Sequence, residues 1–184
     1  MTGLTDMNGT DGMTQQVENP FWSFSLALYE RPGVELACLR LQNKAAMDVN
    51  LALLCCWLGM RGVFLPKESL QHLIDQTEAW RQTVIGPIRD ARIASKSVEL
   101  PAEMNGRDAF REDLKQVELA AERMLQDMLY LMLNELPGKD GREADPGGLV
   151  RGNLSRYAGA CKRRIDAGLR TAFETLAQES MTLA

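Results

Sequence analysis

The sequence predicts an all-α fold, a single-domain bundle of six or seven helices. Three observations predict it. Apolar residues recur at a spacing of three or four through nearly every segment after Asn19. Asn, Asp, Pro and Gly punctuate those segments where helix ends require them. No stretch alternates apolar and polar residues as a half-buried strand would. A chain of 184 residues, 45% of them apolar, is long enough for one sizeable core.

Residues 1–18, rich in Gly, Thr, Asp, Asn and Gln, lack any apolar period and are expected to form a disordered tail. The single domain then covers 19–180. Asn19-Pro20 pairs an N-cap with a proline at the first helical position and opens helix one, about 20–30. Phe21, Phe24 and Leu28 share one face of it, and Trp22, Leu26 and Tyr29 share the next, so burial on more than one side is expected. Arg31-Pro32-Gly33 breaks the chain. Helix two follows over about 33–44. Helix three starts at Met47 or Asp48, and its interior, Leu51 to Leu58, is apolar all round and belongs at the bundle centre.

The segment 62–66 reads as a connector, and helix four as about 66–85, with Gly86-Pro87 kinking or breaking it before a further piece to Lys96. After a linker over 97–106, the residues Phe110, Leu114, Val117, Ala121, Met124, Met128 and Leu131 alternate spacings of four and three inside one helix over 107–136. A flexible loop is read over 137–148. A last helix to about 180 carries Leu154, Ala158, Cys161, Ile165, Leu169, Ala172 and Leu176 on one stripe. The two long C-terminal helices are expected to fold back as an antiparallel hairpin.

With 21 basic and 25 acidic residues the net charge is −4, which argues against nucleic acid as a partner. The longest apolar run, Leu51 to Met60, is about half of what a ~30 Å hydrocarbon core needs, and the N-terminus lacks a signal-peptide pattern. A cytoplasmic protein without membrane contact is therefore expected. Cys38, Cys55, Cys56 and Cys161 lie in apolar patterns and read as buried free thiols. No metal or cofactor is expected: there is one histidine, His72, read as a solvated residue between Glu68 and Asp75, and no glycine-rich phosphate loop.

No catalytic residue is assigned. Gln42, Asp48 and Asn50, beside Trp22, Ser25 and Trp57, form the candidate ligand-binding set, either capping helix ends or flooring an aromatic-walled pocket. Arg156, Arg163 and Arg170 recur every seven residues as a basic stripe, either a solvated face or a contact for phosphates or an acidic partner.

Phe21-Trp22-x-Phe24-Ser25, Tyr29-x-x-Pro32-Gly33-Val34, Asp48-Val49-Asn50, Trp80-Arg81 and Pro87-x-Arg89 together resemble the proteobacterial family named domain of unknown function 2390. The resemblance spans about 19–180 and is most specific over 19–96. Ala45-Ala46-Met47 stands where the family pattern carries a glycine. The resemblance implies a small cytoplasmic protein with no established activity. On the residues alone, the leading expectation is a non-enzymatic interaction or regulatory protein with an exposed helical groove, its partner another protein or a second copy. The alternative is a small-ligand binder or unrecognised enzyme with its pocket at the helix one and helix three cluster.

Overall fold

The computed structural model describes residues 18–99, 101, 104–135, 139–140 and 145–183. Residues 1–17 of the expected tail, and half of the loop read over 137–148, lie outside the described residues. Among the described residues the fold is all-α. The elements are α1 (Pro20–Tyr29), α2 (Val34–Ala45), α3 (Val49–Met60), α4 (Lys67–Trp80), α5 (Gly86–Ala94), α6 (Arg107–Met132), α7 (Pro146–Ala160) and α8 (Ala167–Met181). A π-helical turn, Arg81–Ile85, joins α4 to α5 without a break, which leaves seven helical rods among the described residues. No helix among the described residues is long and apolar enough to cross a membrane.

Helix α3 is the centre, as its sequence predicts: every residue from Asn50 to Gly59 is buried. It packs most extensively on α7. Gly59 permits this contact, since a Cβ there would lie 2.7 Å from the Val150 nitrogen. Helix α2 packs on α8, and α7 on α8, so these four helices form one half of the bundle. Helix α6, with α4, α5 and α1, forms the other half.

Four expectations are corrected. The last helix is two helices, because the chain turns at 161–166: Arg163 N–H donates to the Ala158 carbonyl at 2.8 Å, and Lys162 takes a left-handed φ of 55°. The first of the two begins at Pro146, before the start near Leu149 or after Asn153 that the sequence suggests, and the Asp145 carboxylate caps it, accepting from Gly148 N–H at 2.7 Å. The C-terminal pair that packs together is therefore α7 with α8, and the long α6 turns instead to α5, α4 and α1. Helix α1 buries one face only, Phe21, Ser25 and Leu28, and leaves Leu26 and Tyr29 exposed. Finally, Val63–Phe64 (β1), inside the expected connector, pairs antiparallel with Lys139–Asp140 (β2). Asn153 of α7, fully buried, anchors this connector: it accepts from Leu65 N–H at 3.0 Å and donates to the Val63 carbonyl at 3.0 Å and the Cys55 carbonyl at 3.3 Å.

The π-turn explains how Pro87 sits within a helix. A proline ring collides with the carbonyl four residues earlier and lacks an N–H to donate. Here the ladder widens just before it, with Gly86 N–H donating to the Arg81 carbonyl five residues back. The expected kink or break is thus absorbed as one wide turn.

Candidate functional site

The polar residues of the first half converge on α5 and α6. Asp48 caps α3, accepting from Leu51 N–H at 3.1 Å. Its own backbone is held by Tyr157 of α7, whose hydroxyl accepts from Asp48 N–H at 2.8 Å and donates to the Asp48 carbonyl at 3.2 Å. Asn50, in the first turn of α3, accepts from Gln126 Nε2 of α6 at 2.8 Å. Gln42, with its amide oxygen turned inward, accepts from Arg89 Nη1 at 2.8 Å. Arg89 is the hub: it also donates to Glu118 at 2.7 Å and to Glu122 at 2.8 Å. Arg92, one turn along α5, donates to Glu118 as well. Arg81, in the π-turn, donates to the Ile74 carbonyl at 2.9 Å.

The electrostatics of this crossroads are uneven. Burial raises the Asp48 pKa, against the pull of Arg81, the Leu51 N–H and Arg89. Burial also pushes the Glu122 carboxyl up to about 7; Arg89 opposes this, while Glu118 and Asp48 add to it. Burial acts on Glu118 in the same direction, yet the hydrogen bonds from Arg92 and Arg89 outweigh it and its pKa is lowered. Of two carboxyls one turn apart on α6, one is thus held ionised and the other titrates near neutrality. The Cys38 thiol is pushed up to about 12 by burial, then by Glu122 and Glu35, and Cys55 and Cys56 are raised by burial too. All four cysteines are free, and three are buried. They are poor nucleophiles in this setting.

The candidate ligand set divides. Gln42, Asp48 and Asn50 belong to the crossroads, and their hydrogen bonds go to backbone and to other side chains. Trp22 lies on the outer side of α1, its ring 5.1 Å beneath the Arg123 guanidinium. Ser25 is buried, and its hydroxyl has no partner among the described residues. Trp57 packs between Phe21, at 5.6 Å, and Tyr130, at 5.9 Å, with Arg61 over its ring. Composition and spacing did not point to Arg81, Arg89, Glu118, Glu122, Gln126 or Tyr157 as members of this cluster. Glu118 and Glu122 carry a signal: two carboxylates four apart on the flank of an apolar seam. His72 is exposed, as expected.

The basic stripe is dispersed by the turn between α7 and α8, which destroys the common helix face. Arg156 stacks on Phe64, its guanidinium carbon 3.7 Å from the ring centroid. Arg163 turns to a cavity beside α2, and Arg170 lies exposed on α8.

The heptad seam of α6 holds a second surprise. The buried face is Glu118, Ala121, Leu125, Gln126 and Leu129. Phe110, Val117, Met124 and Leu131, seven residues apart, are 56%, 51%, 53% and 54% exposed and form a continuous apolar line. At its N-terminal end the line enters an apolar cleft of about 470 Å³, lined by Ala91, Ala94, Val98, Met104 and Phe110 among others.

No curated protein and no solved structure matches the chain. A family model described as a protein of unknown function, DUF2390, matches residues 20–129. That span runs from the first turn of α1 to Leu129 of α6, and holds every member of the polar crossroads except Tyr157. The chain belongs to the DUF2390 family.

Proposed function

We propose that this is a non-enzymatic, cytoplasmic interaction protein, and that it works through the exposed line on α6 with a second copy of the chain as its partner. One observation carries the reading: Phe110, Val117, Met124 and Leu131 keep a seven-residue period yet stay more than half exposed. A seven-residue apolar period is the pattern that packs one helix along another. Four large side chains on one line also exceed the scattered exposure usual for a monomer surface.

The line is self-complementary. Its midpoint falls between Ala120 and Ala121. An antiparallel α6 from a second copy would set Phe110 against Leu131 and Val117 against Met124 across the twofold axis, beside the small, exposed Ala120, while Ala121 stays in the protomer's own core. Free, buried cysteines support the cytoplasmic part of the reading.

Sedimentation equilibrium tests it. The wild-type chain should form dimers at micromolar concentration, and a Val117→Glu/Met124→Glu variant should be monomeric with unchanged far-UV dichroism and melting temperature. A wild-type monomer at about 100 μM, a concentration at which a dimer with micromolar Kd would be mostly assembled, would reject the second copy as partner.

A second reading, a small-ligand site near the crossroads, is favoured by the buried Ser25 hydroxyl and Gln126 Oε1, which have no hydrogen-bond partner among the described residues. Loss of binding of a captured small molecule on Gln126→Leu, with the fold intact, would support it.

A further inference from the structure

The α2 C-terminal half and the turn between α7 and α8 flank an open surface cavity of about 170 Å³. Arg40 and Lys44 line it from α2, and Arg163 and Arg164 from the turn. Asp166 is the one acid in the lining, and its carboxylate is engaged in capping α8, accepting from Leu169 N–H at 2.7 Å. None of the four cations has an ion-pair partner among the described residues. Four like charges facing one cavity repel each other, and they gather here on a chain whose net charge is −4. Other arginines of the molecule, such as Arg89 and Arg92 with Glu118 and Arg151 with Glu174, are matched by acids.

The corner is also shaped. The Arg40 guanidinium lies directly over Gly168, where an added Cβ would fall 1.7 Å from Arg40 Nη2. Glycine at 168 therefore lets Arg40 lie flat against the first turn of α8. The left-handed Lys162 reverses the chain so that Arg163 and Arg164 come to the same cavity. A volume of 170 Å³ equals about five or six waters, room for one or two phosphoryl groups.

We propose that this cavity binds the phosphate or diphosphate group of a small soluble molecule. Three guanidinium forks match phosphoryl oxygens in pairs, and the lysine adds a compact charge. The site lies on α2, the turn between α7 and α8, and α8, and is independent of the α6 line.

Calorimetric titration of the full chain with inorganic pyrophosphate tests the proposal, with potassium chloride at matched ionic strength as control. Amide shifts in a nitrogen–proton correlation spectrum locate the site. Saturable binding is expected, with shifts centred on 40–45 and 162–169. Arg40→Gln/Arg163→Gln should weaken it about tenfold or more, since each loses a charge-assisted bond. Gly168→Ala should weaken binding as well while leaving the melting temperature unchanged or raised, because alanine is the better helix former. Absence of saturation by pyrophosphate, equal affinity in the double variant, or binding confined to long polyanions such as an oligonucleotide would overturn the proposal.

Discussion

Arg89 Nη2 donates to Glu122 Oε1 at 2.8 Å, yet burial still holds that carboxyl at a pKa of about 7. The attraction of one guanidinium, shared with Glu118 and Gln42, does not offset the loss of water together with two neighbouring carboxyls. The folded state therefore holds the Glu122 proton more tightly than the unfolded chain, whose carboxyl titrates near 4.5. Stability from this group is full below pH 4.5 and falls as pH rises toward 7, then stays level. Glu122→Gln should flatten that fall and make the protein more stable than wild type at pH 8, by about 1–3 kcal/mol. Urea unfolding at pH 5 and pH 8 measures it; a variant less stable at both would contradict the assignment.

Glu118 behaves in the opposite sense. Its lowered pKa depends on Arg89 and Arg92, so removing Arg89 leaves two close carboxyls with one cation between them. Arg89→Met should cost about 3 kcal/mol at neutral pH. The loss should shrink on acidification, when the carboxyls protonate. Chemical denaturation across pH 4 to 8 reads both effects.

The close approach of α3 to α7 makes Gly59 intolerant of any side chain. Its Cβ would meet the Val150 nitrogen, Cα and Cγ2 at 2.7 to 2.8 Å, and two of these atoms are backbone. Gly59→Ala should destabilise by at least about 2 kcal/mol, even though alanine favours the helix. Thermal melting of the purified variant is the measurement.

Ala46 closes α2 with φ 48° and ψ 42°, a left-handed conformation that costs a residue with a Cβ about 1 kcal/mol. Ala46→Gly should stabilise the protein by about 0.5 kcal/mol, the steric relief exceeding the added freedom of the unfolded chain. An unchanged or lower denaturation midpoint would show that the turn is held against strain by other contacts.

Helix positions in the first half were legible because caps and prolines act locally: Asn19, Pro20 and Asp48 mark their helix ends within a residue or two of the structure. The burial of α3 was legible because an all-round apolar helix has only one place to go. The direction in which α6 faces was not. Its sequence offers two overlapping apolar stripes, and the choice is made by Glu118 and Glu122, which seek the arginines of α5. A salt-bridged carboxylate looks the same in sequence as a solvated one. The break between α7 and α8 was hidden for a related reason. Lys162 adopts a glycine-like conformation, and apolar spacing continues across it. The crossroads was half legible: Gln42, Asp48 and Asn50 stood out as polar groups amid apolar helices, but their partners come from up to 109 residues away.

The wide turn at 81–85 acts as a spacer that keeps phase. The extra residue is taken up inside that turn, since about five residues of a π turn sweep nearly the same angle as four of an ordinary helix. Helix α5 therefore keeps the register of α4 and presents Arg89 and Arg92 to Glu118. Deleting a single residue there would restore ordinary coiling and leave those arginines facing α6, but Pro87 would then collide with the carbonyl four residues behind it. A shortened segment of this kind should lose stability through that collision and not through lost ion pairs, because the wide turn supplies room and transmits no rotation.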